Sequence, residues 1–415
     1  MNPSTSPVHI TTSPNLKEDT QQDTAAISRK SWTFIISGLL ISIPWGVIMN
    51  SIDLFEHHLR GTSYGEAFLS HFASVYLLTK LVFMFIALRA HRHIGMSPRS
   101  QCLVGAFGIL CVMILFFVLV LIAPCLSPLV FYLIVLSASV GASLSAGVLE
   151  AGVYVLAGQA HAINAVLIGQ SSSALFCSVI SFIFIAALSH MKASLFALGN
   201  FGIAIFISLS TIFLMAQSTL GSSNPHDVTT EDETSVKSRQ VLRKCSKECG
   251  SIFLAALLST IVAVFLISKT WSTSETPMRR ILFRPLGFLL MALADLASKL
   301  LPLNNQFRFL NLPVIWITLG RIALVPVFLF GNVRSSSGKA TALPNFLAND
   351  YLYYICLLAF SFIGGYTATV ASIQATLRVQ DHERGRASFL VGASGLAGAL
   401  TGAIISAVVS AMLFK

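Results

Sequence analysis

Eleven long apolar runs, separated by short polar breaks, limit what this chain of 415 residues can fold into. A helix needs roughly 20 apolar residues to cross a bilayer, and each run is about that long. The runs cover residues 32–54, 66–89, 102–124, 128–156, 162–188, 194–216, 250–270, 281–302, 310–332, 350–376 and 387–413. The pattern predicts an all-α polytopic membrane protein with 11 transmembrane helices.

Composition supports this prediction and argues against a soluble or nucleic-acid-binding protein. Only 11% of the residues are charged and 55% are hydrophobic, whereas soluble domains are about 25% charged. A water-exposed surface cannot be covered by so few charges. The net charge of +10 does not indicate a nucleic-acid partner, because the basic residues are scattered among short loops without interleaved aromatic residues.

One long polar interruption, at 217–249, divides the predicted spans into six and five. We expect four parts: a disordered cytosolic tail at 1–31, an N-terminal bundle at 32–216, a cytosolic linker at 217–249 and a C-terminal bundle at 250–415. Many transporters consist of two such bundles that rock about a central site.

The loop charges predict how the chain is oriented in the membrane. With the N-terminus in the cytosol, inward segments hold about 16 Lys and Arg residues and outward segments about 9. Because cytosolic loops carry the excess of basic residues, we expect a cytosolic N-terminus. An odd number of spans then places the C-terminus on the opposite side. Either the plasma membrane or a vacuolar membrane fits the sequence.

Ionisable residues inside predicted spans indicate functional or structural sites, since each costs at least about 2.5 kcal/mol to insert. Asp295 and Lys299 are four residues apart, so they share a helical face and can pair. Spacing alone leaves two interpretations open. The pair either lowers the cost of insertion or lines a wet cavity, where the carboxylate of Asp295 could accept hydrogen bonds from vicinal hydroxyls.

Glu150 and Lys80 lie in the fourth and second predicted spans. Glu150, flanked by Gly147 and Gly152, is either a packing carboxyl or a group that alternates between protonated and ionised forms and couples transport to protons. Lys80 is either a structural residue near the middle of its span or a side chain that extends to an interface.

Two further features stand out in the first and ninth spans. Arg321 precedes Pro326, which should bend the helix, and this arginine is either a gate or inter-helix clamp or an interfacial anchor. Trp45 and Met49 are four residues apart on one face. They form either an apolar wall for a planar base or an ordinary interfacial aromatic beside a core methionine.

Taken in order along the chain, these motifs resemble the equilibrative nucleoside transporter family. The segment IPWGVIM at 43–49 is similar to the family's Leu-Pro-Trp-Asn start, and Asp295 to Lys299 is similar to its Asp-x-x-x-Arg. Arg321 to Pro326, followed by Gly-Asn at 331–332, is similar to its Arg-x-x-x-x-Pro signature. GGYTATVASIQA at 364–375 resembles its Asn-Gly-Tyr segment.

The resemblance implies a fold like the major facilitator superfamily, a central nucleoside cavity and alternating access without a cofactor or metal. It implies that Trp45 and Met49 line the base pocket, that Asp295 and Lys299 hold or organise the ribose hydroxyls, and that Glu150 stands where the family has a Gln that reads the base edge. The chain departs from the family at three of its motif positions: Gly46 replaces Asn, Glu150 replaces Gln and Lys299 replaces Arg. The change to Lys loses the bidentate geometry of a guanidinium.

We therefore expect a nucleoside transporter, facilitative or proton-coupled, that acts as a monomer on purine and pyrimidine nucleosides, with nucleobases as further candidate substrates. The alternative is a sugar or drug carrier of the wider major facilitator superfamily. The loop after the second span, ALRAHRHIGMS, lacks the acidic residue that would favour that alternative. An intramembrane hydrolase is not expected, because Asp295 has no second aspartate in a Gly-x-Gly-Asp context and no Ser and His pair is evident.

Overall fold

The computed structural model describes residues 15–59, 61–62, 68–187, 193–217, 238–267, 270–303, 314–333 and 349–413. Within these ranges the chain is helical apart from short turns and one isolated β-bridge between Thr270 and Val333. The helices are α1 Asn15–Asn50, α2 Ile52–His58, α3 Phe68–Ile94, α4 Pro98–Ile122, α5 Pro128–Gln159, α6 Ile163–Ala187, α7 Ala193–Gln217, α8 Ser238–Lys244, α9 Ser246–Thr260, α10 Pro277–Leu300, α11 Val314–Gly320, α12 Val325–Leu329, α13 Asp350–Leu377 and α14 Arg384–Leu413.

Ten of the described helical segments are long and apolar enough to cross a membrane, and a shorter apolar segment, Val314–Leu329, lies at the ninth predicted span. Each predicted span therefore coincides with an apolar helical segment, six before residue 218 and five after residue 237. The predicted all-α membrane fold is confirmed.

Helix ends differ from the predictions where capping residues extend a helix. The third membrane helix begins at Pro98 instead of 102, because the Ser97 side chain accepts a hydrogen bond from the Ser100 backbone N–H at 3.1 Å. The last begins with a short 3-10 turn at Asp381–Glu383 instead of 387. Here Gln380 and Glu383 form a capping box, with Gln380 N 3.1 Å from Glu383 Oε2.

Two of the expected segments, the N-terminal tail and the linker, lie partly outside the described residues. The structure places residues 15–31 of the expected tail in helix α1, whereas residues 1–14 lie outside the described part of the chain. Residues 218–237 of the expected linker also lie outside it, and from Ser238 onward the chain is helical.

The ninth span is a broken helix. A 3-10 segment at Arg321–Leu324 separates α11 from α12, and Pro326 lies in the first turn of α12. Proline has no backbone N–H, and its ring clashes with the carbonyl of the residue four positions earlier, so Pro326 favours a break in the helix at this point.

Close helix contacts within each half depend on glycine. A side chain added at Gly38 of α1 would come within 2.2 Å of the Val166 carbonyl oxygen of α6, and one at Gly169 of α6 within 2.0 Å of the Ile35 oxygen of α1. In the second half, Gly398 of α14 lies equally close to Phe253 of α9. Small residues let membrane helices approach backbone to backbone.

The two halves touch at the end where α5 finishes and α14 begins. A side chain at Gly158 would meet the Arg384 carbonyl oxygen at 2.6 Å, and the rings of Phe85 and Phe389 are 5.5 Å apart. Between the halves lies a central cavity. It shares Met49, Asn50 and Phe288 with a second cavity near Trp271, at the opposite end of the helices.

Candidate functional site

The central cavity has a volume of about 470 Å³ and is lined by helices of both halves. Six of the sequence-predicted site residues line it: Trp45, Met49, Lys80, Glu150, Asp295 and Lys299. The other two, Arg321 and Pro326, do not line it. A volume of this order is typical of sites that bind small molecules.

Lys80 and Glu150 form a buried ion pair on the first half of the cavity wall. Nζ of Lys80 on α3 lies 2.7 Å from Oε2 of Glu150 on α5, and the residues are 7% and 3% exposed. Both charged groups are withdrawn from solvent, so each compensates the other's burial. Gly147 allows α5 to approach α3 here, since a side chain at this position would be 2.6 Å from the Lys80 carbonyl oxygen.

Asp295 and Lys299 form a second ion pair on α10, with Nζ 3.0 Å from Oδ2. This pair is wetter than the first, because 29% of the Asp295 side chain is exposed. The backbone of α13 abuts the aspartate. A side chain at Gly365 would be 2.5 Å from Asp295 Oδ1 and 2.2 Å from Ser298 Oγ. This packing leaves no room for a side chain at position 365.

Two consecutive residues of α6 connect the ion pairs. Gln170 donates from Nε2 to Glu150 Oε1 at 3.2 Å, and Ser171 donates from Oγ to Asp295 Oδ2 at 2.5 Å. The Ser171 hydrogen bond joins the first half of the chain to the second. Sequence reasoning missed both residues, although the polar run GQSSS at 169–173 within an apolar span was a usable signal.

An aromatic cluster forms the wall around Trp45. Its ring stacks on Phe72 at a centroid distance of 5.6 Å and lies 5.3 Å from Tyr76. Phe72 and Tyr76 are almost fully buried, so they hold the indole in place while Trp45 itself lines the cavity. Met49, one turn further along α1, lines the cavity as well. The result is an apolar surface suited to a planar ring.

Arg321 lies inside the second half, fully buried, and not at its surface. The guanidinium donates from Nη1 to the Ala255 carbonyl oxygen at 3.1 Å and from Nη2 to Ser259 Oγ at 2.9 Å. It also lies 3.9 Å from the ring centroid of Phe360. A side chain at Gly364 would come within 2.6 Å of it. Within the described residues no carboxylate lies within 4 Å of Arg321, so carbonyl, hydroxyl and ring contacts stabilise the cation.

Comparison with known proteins bears on what this cavity is for. Residues 216–411 match the family described as "Nucleoside transporter". No curated protein matched the sequence.

Solved structures of major facilitator superfamily transporters share the fold. The D-xylose-proton symporter is similar with a TM-score of 0.64 at 11% identity, over 93% of this chain and 90% of that one. FucP, a major facilitator superfamily transporter in the outward conformation, is similar with a TM-score of 0.55 at 14% identity, over 94% of this chain and 97% of that one. A bacterial homolog of the human lysosomal transporter Spinster is similar with a TM-score of 0.52 at 13% identity, over 91% of this chain and 81% of that one. At such low identity these likenesses establish the fold alone.

The predicted major-facilitator-like fold is therefore confirmed. Three of the four quoted motifs lie within the matched segment, at 295–299, 321–332 and 364–375. The match over residues 216–411 is consistent with the nucleoside transporter family that these motifs resemble.

Proposed function

We propose that this protein carries purine and pyrimidine nucleosides across a membrane by alternating access. The observation that carries the proposal is the match of residues 216–411 to the nucleoside transporter family, because the matched segment includes α10, which brings Asp295 and Lys299 to the central cavity. The carrier works as a monomer in the plasma membrane or a vacuolar membrane, with its N-terminus in the cytosol.

The chemistry of the cavity wall suits a nucleoside. Trp45 and Met49 offer an apolar surface for the base. The partly exposed carboxylate of Asp295 accepts hydrogen bonds from the vicinal ribose hydroxyls. Lys299, 3.0 Å away, pairs with that carboxylate and orients it. Nucleobases, which have no ribose, use only the Trp45 side of the cavity in this scheme.

Glu150 decides whether transport is facilitative or proton-coupled. Protonation of Glu150 would remove its attraction to Lys80, which lies 2.7 Å away between two helices of the first half. Because the pair is buried, solvent screens this attraction little, and its loss weakens the packing of α3 against α5. In a facilitative carrier Glu150 reads the base edge together with Gln170.

The test is uptake of radiolabelled adenosine and uridine into liposomes, with and without an inward proton gradient. We expect saturable uptake that unlabelled nucleoside blocks. Glu150→Gln separates the two modes, since loss of only the gradient-dependent part identifies the coupling carboxyl. Glu248→Gln is the matched control, because Glu248 is also buried and paired, with Arg378 at 2.8 Å, but does not line the cavity.

Absence of nucleoside uptake under every condition would overturn the proposal. The same liposomes would then be tested with a panel of sugars and drugs, the substrates of the alternative carrier class. Gradient-independent uptake would retain the nucleoside proposal and assign Glu150 to base recognition or to structure.

A further inference from the structure

A groove at the end of the molecule where the two halves touch has no role in the transport cycle described above. It has a volume of about 520 Å³. We call it the α3–α14 groove, and it is lined by Phe85, Leu88, Arg89, His93, Ser238, Arg386, Phe389 and Leu390. Helix α3 of the first half forms one wall, and the start of α14 forms the other.

The groove combines a lipid-facing apolar wall with a cationic end. Phe85 is 48% exposed within the apolar segment His71–Ala90, so its ring faces the membrane interior. Arg89 and His93 follow at the end of that segment, and Arg386 lies in the first turn of α14. The basic groups therefore lie at the depth where lipid headgroups begin.

Charge defines what the groove can hold. None of its eight lining residues is acidic, and among the described residues Arg89 has no carboxylate within 4 Å. A guanidinium binds a phosphate group through two parallel hydrogen bonds. Basic pockets between transmembrane helices on the cytosolic side suit anionic lipid headgroups.

We propose that the α3–α14 groove binds one anionic phospholipid. The phosphate lies between Arg89 and Arg386, and an acyl chain runs along Phe85 and Leu88. On the orientation expected from the loop charges, this end faces the cytosolic leaflet, where anionic lipids are concentrated.

Such a lipid bridges the two halves of the carrier. Arg89 belongs to α3 and Arg386 to α14, and the Phe85 and Phe389 rings meet below them at 5.5 Å. Rocking of the halves must separate these helices to open this end of the central cavity. A phospholipid held by both arginines therefore stabilises the state in which this end is closed. The binding site does not depend on which substrate the carrier moves.

The experiment measures lipid binding directly. Delipidated protein in a neutral detergent is titrated with phosphatidylserine or phosphatidylcholine and followed by native mass spectrometry and thermal melting. Each arginine near a headgroup contributes about fivefold to affinity, so the double variant Arg89→Gln/Arg386→Gln should bind phosphatidylserine about 25-fold more weakly. The double variant Arg239→Gln/Arg243→Gln removes the same charge from exposed positions of α8 and should bind like the wild type.

Three results would overturn the proposal. One is equal phosphatidylserine binding by the groove variant and the wild type, and another is an equal loss in the α8 control. The third is melting stabilisation by inorganic phosphate or glycerophosphoserine as strong as that by the lipid, since this would identify a site for free phosphate. If the double groove variant does not fold, the single variants Arg89→Gln and Arg386→Gln should each lose about fivefold in affinity.

Discussion

We predict that the buried ion pair between Lys80 and Glu150 stabilises the protein only as a pair, and a double-mutant cycle can test this. Removing one member of a buried pair leaves an uncompensated charge and costs about 3 to 5 kcal/mol, whereas replacing both members with neutral groups of similar size is close to neutral. With exposures of 7% and 3%, little solvent screening reduces this effect. The single variants are Lys80→Met and Glu150→Gln, and the double variant combines them.

The expected shift in melting temperature follows from the size of the chain. At about 2 cal/mol/K of unfolding entropy per residue, the chain of 415 residues loses roughly 1 °C per kcal/mol. Each single variant should therefore melt about 3 to 6 °C below the wild type, and the double variant within about 1 °C of it. In the double variant Gln170 keeps a neutral partner at position 150.

Thermal unfolding of the four proteins in one detergent, at one scan rate, provides the measurement. The diagnostic quantity is the coupling energy between the two substitutions. Additive losses, with the double variant less stable than either single variant, would refute the argument that the pair holds α3 against α5. A wild-type melting temperature for Lys80→Met would refute it as well.

Three other predictions concern the cavity and its supporting residues. Ser171→Ala should cost about 1.5 kcal/mol in thermal stability, because it removes a hydrogen bond to a charged group, whereas Ser172→Ala, which loses only a bond to its own helix, should be near neutral. Trp45→Ala should raise the KM for nucleoside uptake at least about fivefold through lost stacking, and Trp316→Ala, 65% exposed on α11, should not. Arg321→Lys should lower the melting temperature by about 1 to 3 °C, since one ammonium cannot reach both acceptors of the guanidinium.

The sequence was sufficient to predict the fold because the bilayer leaves few options. A spanning segment must be a helix that satisfies its own backbone hydrogen bonds, and its outer face must be apolar. Both requirements produce runs of about 20 residues that are visible without any knowledge of packing. The pairing of Asp295 with Lys299 was equally predictable, since four residues on one helix fix the geometry, and the two side chains lie 3.0 Å apart.

Contacts between helices were harder to predict. The sequence indicated that Lys80 and Glu150 are costly to insert into the membrane and must have compensating partners. Nothing in it indicated that they are each other's partner. Their pairing depends on the rotation of α3 and α5 about their axes, which is set by the approach at Gly147. Arg321 was harder still. Its acceptors are a backbone carbonyl and a serine hydroxyl, and such groups are present throughout every span.

The contacts of α6 give the cavity a property that neither ion pair has alone. Gln170 and Ser171 are consecutive on one helix, so a displacement that moves one moves the other. Gln170 contacts the Lys80–Glu150 pair of the first half, and Ser171 contacts Asp295 of the second. Under the proposed function, a ribose hydroxyl that takes the place of Ser171 on Asp295 removes a hydrogen bond between the halves. Substrate binding then weakens the connection that rocking must break, so occupancy of the cavity and freedom of the halves to move are linked by the same atoms.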